Sequence, residues 1–352
     1  MAPVAPVPAQ QPAAGTVTGR PAAAPVAAVP ASAAAPADPA SQSQNASRSS
    51  PAPARVDTPA AAPSGADTTQ AVTAVVAPEE VRNEAVQLFG RRDGASAAFD
   101  IEVERYASHA RVQYWIDYFS TRARRHFEVY LQRAGRYDSM IRTRLAASGL
   151  PQDMIFLAMI ESGFNQSARS HASAVGLWQF IAPTARRYGL TVDAWVDERR
   201  DPGPATDAAI RMITELNDRF GSLYLAAAGY NAGPGKIRAG LARYDFGALN
   251  GDDVFFALAE RPFLRRETRD YVPKLIAAAI ISKNPERWGF NTRDNLWRPL
   301  RFDSLVVDFA VGLDVIARLA ETTRAVIEEM NPQFVRGVTP PDREVWVRVP
   351  EA

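Results

Sequence analysis

The segment Met154–Gln179, MIFLAMIESGFNQSARSHASAVGLWQ, decides how the rest of this chain is interpreted. Its first residues, Met154–Ile160, are apolar on every side, which predicts a buried helix. The run ends on one carboxylate, Glu161, and Ser162-Gly163 is predicted to end the helix. Burial disfavours the charged form of a carboxyl, so we expect a raised pKa for Glu161 and suitability for general acid catalysis near neutral pH. On this segment alone, a solvated glutamate just past a core helix is the simpler alternative.

The composition of the 352-residue chain excludes several function classes. A formal net charge of +1 argues against a dedicated nucleic-acid-binding protein. The absence of cysteine excludes disulfides, thiolate chemistry and cysteine-ligated metals. The histidines, His109, His126 and His171, show no metal-ligand spacing and lie beside no nucleophile elbow, so no metal or organic cofactor is implied. No apolar run is long enough to predict a transmembrane helix.

Residues 1–77 are rich in alanine, proline, serine and threonine and contain no aromatic residue. Such a segment buries too little apolar surface to offset its chain entropy, so we expect a disordered tether. It is either a spacer that lets the folded part reach a distant surface or low-complexity sequence without a specific role. The start MAPVAPVPAQ does not resemble a secretory signal. Either the protein is not exported by that route, or the true start lies upstream of Met1.

The sequence from Pro78 to about residue 295 predicts helices. Residues 104–133 form one long helical pattern, whose aromatic stripe we interpret as core and whose arginines we interpret as a solvated face. Shorter helices are predicted at 138–148, 183–188, 205–220, 223–229, 236–244 and 268–282. Asp201 is expected to cap the helix that follows it, and Pro273 is expected in a first helical turn, where proline is tolerated.

The sequence after residue 300 predicts a different arrangement. Leu305-Val306-Val307 and Val345–Val349 are short β-branched or alternating runs typical of strands. Between them, Leu313–Leu319 and Thr323–Met330 predict two short helices, the second closed by Asn331-Pro332. The result is a predicted β-α-α-β unit.

Four motifs carry a family resemblance. They are Glu161-Ser162-Gly163-Phe164, Gly176-Leu177-Trp178-Gln179-Phe180, Ala228-Gly229-Tyr230-Asn231-Ala232-Gly233 and Glu267-Thr268-Arg269-Asp270-Tyr271-Val272. Their order and spacing resemble those of the soluble-lytic-transglycosylase (SLT) family, and the chain looks most like the membrane-bound lytic murein transglycosylase D subgroup. The β-α-α-β unit is similar, faintly, to a LysM peptidoglycan-binding module. Ser173, where the family often has glycine, and Gly229, where alanine is usual, depart from the pattern.

This resemblance implies a mainly α, lysozyme-like catalytic domain. The expected organisation is a tether at 1–77, an N-terminal helical region at 78–150 that packs on the catalytic domain, the catalytic domain at 151–295 and a LysM-like module at 300–352. The implied partner is the peptidoglycan glycan strand, and neither nucleic acid nor a transmembrane segment is expected. We expect a monomer in the periplasm or cell envelope, inferred from the substrate. The arginines of 104–133 would then have a second interpretation, contact with acidic stems of the wall polymer.

The resemblance also implies the chemistry. Glu161 would act as acid and then as base in a non-hydrolytic cleavage that forms a 1,6-anhydro ring. The substrate-binding residues would be Ser162, Gln179, Tyr230, Asn231 and Tyr271, with Tyr271 also tuning the pKa of Glu161. Trp178 is interpreted as a core anchor rather than a sugar platform. Two alternatives stay open: a hydrolytic muramidase that takes a second carboxylate from Asp197, Glu198 or Asp201, and an inactive wall-binding protein.

Overall fold

The computed structural model describes residues 98–249, 251–292 and 295–351. The predicted tether at 1–77 and the predicted helix start at Pro78 lie outside these residues. The helices are α1 (Val103–Tyr106), α2 (Ala110–Ser120), α3 (Arg124–Ala147), α4 (Phe156–Ser162), α5 (Ala182–Arg187), α6 (Pro202–Phe220), α7 (Leu223–Ala232), α8 (Pro234–Arg243), α9 (Asp253–Ala259), α10 (Arg266–Lys283), α11 (Leu313–Leu319) and α12 (Arg324–Met330). The strands are β1 (Phe302–Val307) and β2 (Val345–Pro350), and short 3₁₀ turns occupy Gln152–Ile155, Glu198–Arg200 and Pro285–Trp288. The prediction of a mainly helical chain is confirmed.

Helix α2 ends at Ser120, and Thr121 follows with a φ of −120° and a ψ of −82°, outside the helical conformation. The hydroxyl groups of Ser120 and Thr121 both donate to the carbonyl of Asp117, at 3.3 and 2.6 Å. A turn follows, and α3 begins at Arg124. The prediction of one helix over residues 104–133 is therefore wrong, since α1, α2 and the start of α3 share that range.

The helix predicted at 138–148 is the second half of α3, which runs from Arg124 to Ala147 without a break. Glycine is a weak helix former, yet Gly135 lies inside this helix. A Cβ at Gly135 would lie 2.6 Å from the carbonyl oxygen of Trp297. The chain crosses α3 at this point, and the Trp297 amide donates to the carbonyl of Gln132 at 2.9 Å. Gly135 therefore permits the close crossing.

The core of the helical body surrounds α10. Val272 and Leu275–Ala279 are fully buried, and α10 packs on α2, α4 and α7. Pro273 lies inside this helix rather than in its first turn, because α10 begins at Arg266, which corrects the predicted start. One hydrophobic core extends from Ile101 to Phe290, so the helices on both sides of residue 150 are buried together. The boundary at residue 150 stays a prediction.

Residues 302–350, the C-terminal unit, have the predicted β-α-α-β order. β1 pairs with β2 in an antiparallel register that places Phe302 opposite Pro350 and Val307 opposite Val345. The unit has its own small core, which includes Leu313, Ile327 and Val347.

The C-terminal unit is joined to the helical body by apolar and ionic contacts. Val196 and Phe334 pack in the unit's core, and Val196 belongs to the body. The guanidinium of Arg348 donates to both carboxylate oxygens of Asp201, at 3.0 and 2.8 Å. Within the described ranges, no helix is both long enough and apolar enough to cross a membrane.

Candidate active site

Helix α4 carries Glu161 in its last turn. Gly163 follows the helix with a φ of +58°, a left-handed conformation that ends the helix there. A Cβ at Gly163 would lie 2.1 Å from two carbons of the Tyr130 ring. Glycine is therefore required both by the backbone conformation and by the contact with α3. The helix therefore ends at Ser162, directly after the carboxylate.

Glu161 is buried and held by one hydrogen bond. Glu161 is only 9% exposed to solvent. The Tyr271 hydroxyl donates a hydrogen bond to Glu161 Oε1 at 2.5 Å. Oε2 is also buried and accepts a hydrogen bond from none of the described residues. Burial is the main cause that raises the pKa of Glu161 to about 7. The negative charge of Glu267 raises this pKa further, whereas the Tyr271 hydrogen bond and the positive charge of Lys274 lower it. A carboxyl with this pKa can donate a proton and take one back near neutral pH.

Glu161 lines a cavity of about 230 Å³. Part of the wall is aromatic and is formed by Trp115, Tyr118, Phe119, Phe127 and Tyr130 of α2 and α3. The buried members of this set also belong to the core, as the sequence predicted. Tyr118 and Tyr130 are half-buried, so the stripe serves as core on one side and as cavity wall on the other.

Lys274 on α10 lines the same cavity. Its ammonium lies 4.4 Å from the centroid of the Trp115 ring. Burial lowers the pKa of Lys274, and the nearby carboxylates of Asp270, Glu267 and Glu161 oppose that change. The cavity therefore contains one carboxyl and one amine, both partly withdrawn from water.

Ser162 and Gln179 line the cavity and also hold its loop. The Ser162 hydroxyl donates to the Leu177 carbonyl at 2.8 Å and accepts from the Asn165 amide at 3.2 Å. Gln179 has a φ of +50°, and its side-chain nitrogen donates to the Gly176 carbonyl at 2.9 Å. These bonds place both side chains beside Glu161. Their predicted role in substrate binding stays a prediction.

Tyr230 and Asn231 lie in the last turn of α7 and do not line the cavity. The Tyr230 hydroxyl donates to the Trp178 carbonyl at 2.7 Å. Asn231 accepts from the Thr268 hydroxyl at 2.8 Å and donates to Glu267 Oε1 at 3.3 Å. The structure thus uses both side chains to tie α7 to its neighbours behind Glu161. Their predicted contact with substrate stays a prediction.

Trp178 is fully buried, and its indole nitrogen donates to the Thr206 hydroxyl at 3.0 Å. This agrees with its interpretation as a core anchor. The turn that carries Gln179 is thereby fixed to α6.

The three carboxylates considered as a second catalytic group are engaged elsewhere. Asp197 accepts from the Arg199 guanidinium at 2.7 Å, and Glu198 accepts from the Thr191 amide at 2.5 Å. Asp201 caps α6, as predicted, and also binds the C-terminal unit. None of the three lines the cavity that contains Glu161.

Sequence analysis missed Glu267 and Lys274 as residues near the acid. Both affect the pKa of Glu161. The signal was present in the spacing: Glu267, Tyr271 and Lys274 recur at i, i+4 and i+7, which places them on one face of α10. Once Tyr271 was assigned to the site, that spacing pointed to the other two.

Comparison with known proteins finds sequence similarity over the helical body. The transglycosylase SLT domain family matches residues 139–248. Membrane-bound lytic murein transglycosylase D of Escherichia coli K12 is 35% identical over 158 residues, which cover 45% of this chain and 34% of that protein. Peptidoglycan transglycosylase gp16 of Escherichia phage T7 is 34% identical over 104 residues, which cover 29% of this chain and 8% of that protein.

The solved structure of the 70 kDa soluble lytic transglycosylase Slt70 of Escherichia coli aligns with 46% of this chain. The alignment covers 27% of the Slt70 chain, with a TM-score of 0.34 and 21% sequence identity. The chain spans about a third of the length of its Escherichia coli K12 relative. The range that matches the transglycosylase SLT domain family contains Glu161, Gln179 and Tyr230.

Proposed function

We propose that this protein is a peptidoglycan lytic transglycosylase. It cleaves the β-1,4 bond between N-acetylmuramic acid and N-acetylglucosamine without adding water. The observation that carries the proposal is Glu161, a buried carboxyl with a pKa of about 7 that lines a cavity and keeps one oxygen unpaired among the described residues. The SLT domain match supports the same reaction.

The proposed reaction uses Glu161 twice. Protonated Glu161 gives its proton to the glycosidic oxygen, and the bond from that oxygen to C1 of the muramic residue breaks. The substrate's N-acetyl group stabilises the positive charge that develops at C1. Ionised Glu161 then takes the proton of the C6 hydroxyl, and O6 attacks C1 to close the 1,6-anhydro ring. The attack is intramolecular, so the effective concentration of O6 favours it over water.

Tyr271 keeps the carboxyl in place through both proton transfers. Its hydroxyl remains a donor because burial raises its pKa well above the usual value. A donor to Oε1 favours the ionised form of Glu161, which is the form needed as base. Ser162 and Gln179 orient the muramoyl group at the cavity edge, and Tyr230 and Asn231 support the wall behind the acid.

The product mass tests this proposal. Purified sacculi are digested with the full chain, and the muropeptides are analysed by mass spectrometry. We expect 1,6-anhydromuramic ends, lighter by one water than reducing ends, and no cleavage by the Glu161→Gln variant. Reducing ends would instead identify a muramidase. Binding without cleavage would identify an inactive wall-binding protein.

The C-terminal unit is proposed as a LysM-like module that binds the same polymer. The support is its β-α-α-β order and its own small core. Its contact with α6 through Asp201 and Arg348 would hold it beside the catalytic body. Sedimentation of the Glu161→Gln protein with sacculi, with and without substitutions on the exposed face of β1, tests this role separately from cleavage.

The substrate places the protein in the periplasm or cell envelope. Peptidoglycan lies outside the cytoplasmic membrane, so the enzyme meets it only after export. The similarity to a relative named as membrane-bound supports an envelope location. Fractionation of cells that express the natural gene tests this location. We expect to detect the protein in the periplasmic or envelope fractions.

A further inference from the structure

A second, larger depression of about 750 Å³ lies between the helical body and the C-terminal unit. We call it the arginine groove, because its lining includes Arg133, Arg136, Arg200, Arg324 and Arg336. Glu328 and Glu329 are the two carboxylate residues in the lining that the structure describes. The positively charged side chains thus outnumber the negatively charged ones.

The two glutamates of the groove are already paired. Arg136 forms an ion pair with Glu329, and Arg324 contacts Glu328 at 2.7 Å within α12. These pairs neutralise one arginine on each side of the groove. They leave three arginines whose charge no carboxylate of the lining balances.

Two of those three arginines, Arg133 and Arg200, belong to the helical body. Arg133 lies 5.7 Å from the centroid of the Trp297 ring and donates to the Gly163 carbonyl at 3.5 Å. Arg200 has Asp197 at 3.9 Å as an ionic partner outside the lining. Its Nε is buried and donates to none of the described residues. An excess of guanidinium groups over carboxylates in a concave site favours an anionic ligand.

The arginine groove lies next to the cavity that contains Glu161. Tyr130 lines the cavity, and Arg133, one turn further along α3 on the same face, lines the groove. The chain from the end of α4 onward contributes to both walls: Ser162 and Ala168–Ser170 line the cavity, and Phe164–Ser167 line the groove. A branched ligand that occupies the cavity therefore has the groove within a few residues of it.

We propose that the arginine groove binds the carboxylates of a peptide stem on the glycan strand whose sugars occupy the cavity. This inference rests on the proposed function, because that function supplies the strand. The stem is an anionic branch on the muramic residue, and planar guanidinium groups bind carboxylates with two parallel hydrogen bonds. The guanidinium carbons of Arg133 and Arg136 lie 5.7 and 4.8 Å from the centroid of the Trp297 ring. Trp297 thereby orients both guanidinium groups.

Calorimetric titration of the full-length Glu161→Gln protein with a synthetic stem tetrapeptide tests the proposal without any need for cleavage. The test variant Arg133→Gln/Arg336→Gln removes one of the unbalanced arginines from each side of the groove. The control variant Arg125→Gln/Arg318→Gln removes an exposed arginine from each of α3 and α11. Arg318 is the match for Arg336, because both are exposed arginines of the C-terminal unit.

We expect the peptide to bind the parent and the control equally and the test variant roughly tenfold more weakly, because one solvent-accessible ion pair, a weak interaction by itself, is lost on each side. The peptide with its carboxylates converted to amides should bind as weakly to the parent, a result that does not depend on the folding of any variant. Absence of binding, equal binding by the test variant, or equal binding of the amide peptide overturns the proposal.

Cleavage of peptide-bearing and peptide-free glycan strands separates this inference from the proposed function. If both proposals hold, the active parent prefers peptide-bearing strands, and the Arg133→Gln/Arg336→Gln variant loses about tenfold of that preference. If neither strand is cleaved while the peptide still binds, the reaction is wrong and the groove assignment stands. If both strands are cleaved equally by the parent, the groove does not contribute to the reaction.

Discussion

Replacing Glu161 with glutamine should stabilise the protein at neutral pH while it abolishes cleavage. Glutamine keeps an oxygen that accepts the Tyr271 hydrogen bond but removes the titrating group. Burial raises the pKa of Glu161 from 4.5 to about 7, so the folded parent holds this proton more tightly than the unfolded chain does. Between those pH values the folded state binds more protons. The free energy of unfolding of the parent therefore falls as pH rises through this window.

The two pKa values, 4.5 and about 7, set the size of this effect. One pKa unit corresponds to about 1.4 kcal/mol, so this group lowers the free energy of unfolding by about 3 kcal/mol between about pH 4.5 and about pH 8. Below that window the carboxyl is protonated in both states and its contribution disappears. Glu161 is only 9% exposed, so screening by solvent is small.

Urea unfolding of the parent and of Glu161→Gln at both ends of this pH range measures the effect. We expect the advantage of the variant over the parent to be about 3 kcal/mol larger at the alkaline end than at the acidic end. The comparison of two pH values cancels any constant difference in packing between the two side chains. Glu104→Gln, at an exposed position on α1, is the matched control for the loss of one carboxylate.

Two outcomes would refute the reasoning. If the parent and Glu161→Gln lose stability in parallel over this range, the pKa of Glu161 is not raised by burial. If the variant still forms anhydro products from sacculi, Glu161 is not the acid. A gain seen equally in Glu104→Gln would assign the effect to net charge rather than to the buried site.

Three further substitutions test the neighbours of the acid. Tyr271→Phe removes the hydrogen bond that lowers the pKa of Glu161. The alkaline limb of the pH–rate profile should therefore shift to higher pH by about one pH unit or more. Lys274→Met removes a cation that also lowers the pKa of Glu161, so the same limb should shift to higher pH by a smaller amount. A shift of the limb to lower pH in either variant would contradict the corresponding prediction. Gly163→Ala places a Cβ against the Tyr130 ring at an unfavourable φ. The free energy of unfolding, measured by thermal unfolding, should fall by about 2–4 kcal/mol. An unchanged unfolding midpoint would show that the contact relaxes freely.

The parts of the fold that could be predicted from sequence were those where one local signal dominates. The apolar run before Glu161 had no alternative to burial, and the β-branched runs near residues 305 and 345 had no helical period. The break after Ser120 was not predictable from periodicity, because the apolar spacing continues through it. It lies in the backbone conformation of Thr121, which the spacing of apolar residues does not encode.

Packing between distant segments limited the rest of the prediction. The predicted helical patterns stopped at residue 133 and resumed at residue 138, and only the chain that crosses at Trp297 explains why a glycine lies at position 135 inside one helix. In the site, the family resemblance pointed to Tyr271, and the structure places its hydroxyl on Glu161. The orientation of Asn231 toward Thr268 was not predictable, since it depends on how α7 and α10 pack.

The raised pKa of Glu161 and its unpaired Oε2 are two consequences of the same burial. A buried acceptor without a partner costs about 1–3 kcal/mol, and well-packed cores seldom retain one. Here α4 and α10 hold the carboxyl rigidly beside a cavity, so a protein side chain cannot move in to satisfy Oε2 without filling the space that substrate needs. In the proposed reaction Oε2 carries the proton, so it acts as a donor, and the glycosidic oxygen is the missing acceptor. The energetic cost of leaving Oε2 unpaired is then a reason for substrate to bind at Glu161 and not elsewhere along the cavity wall.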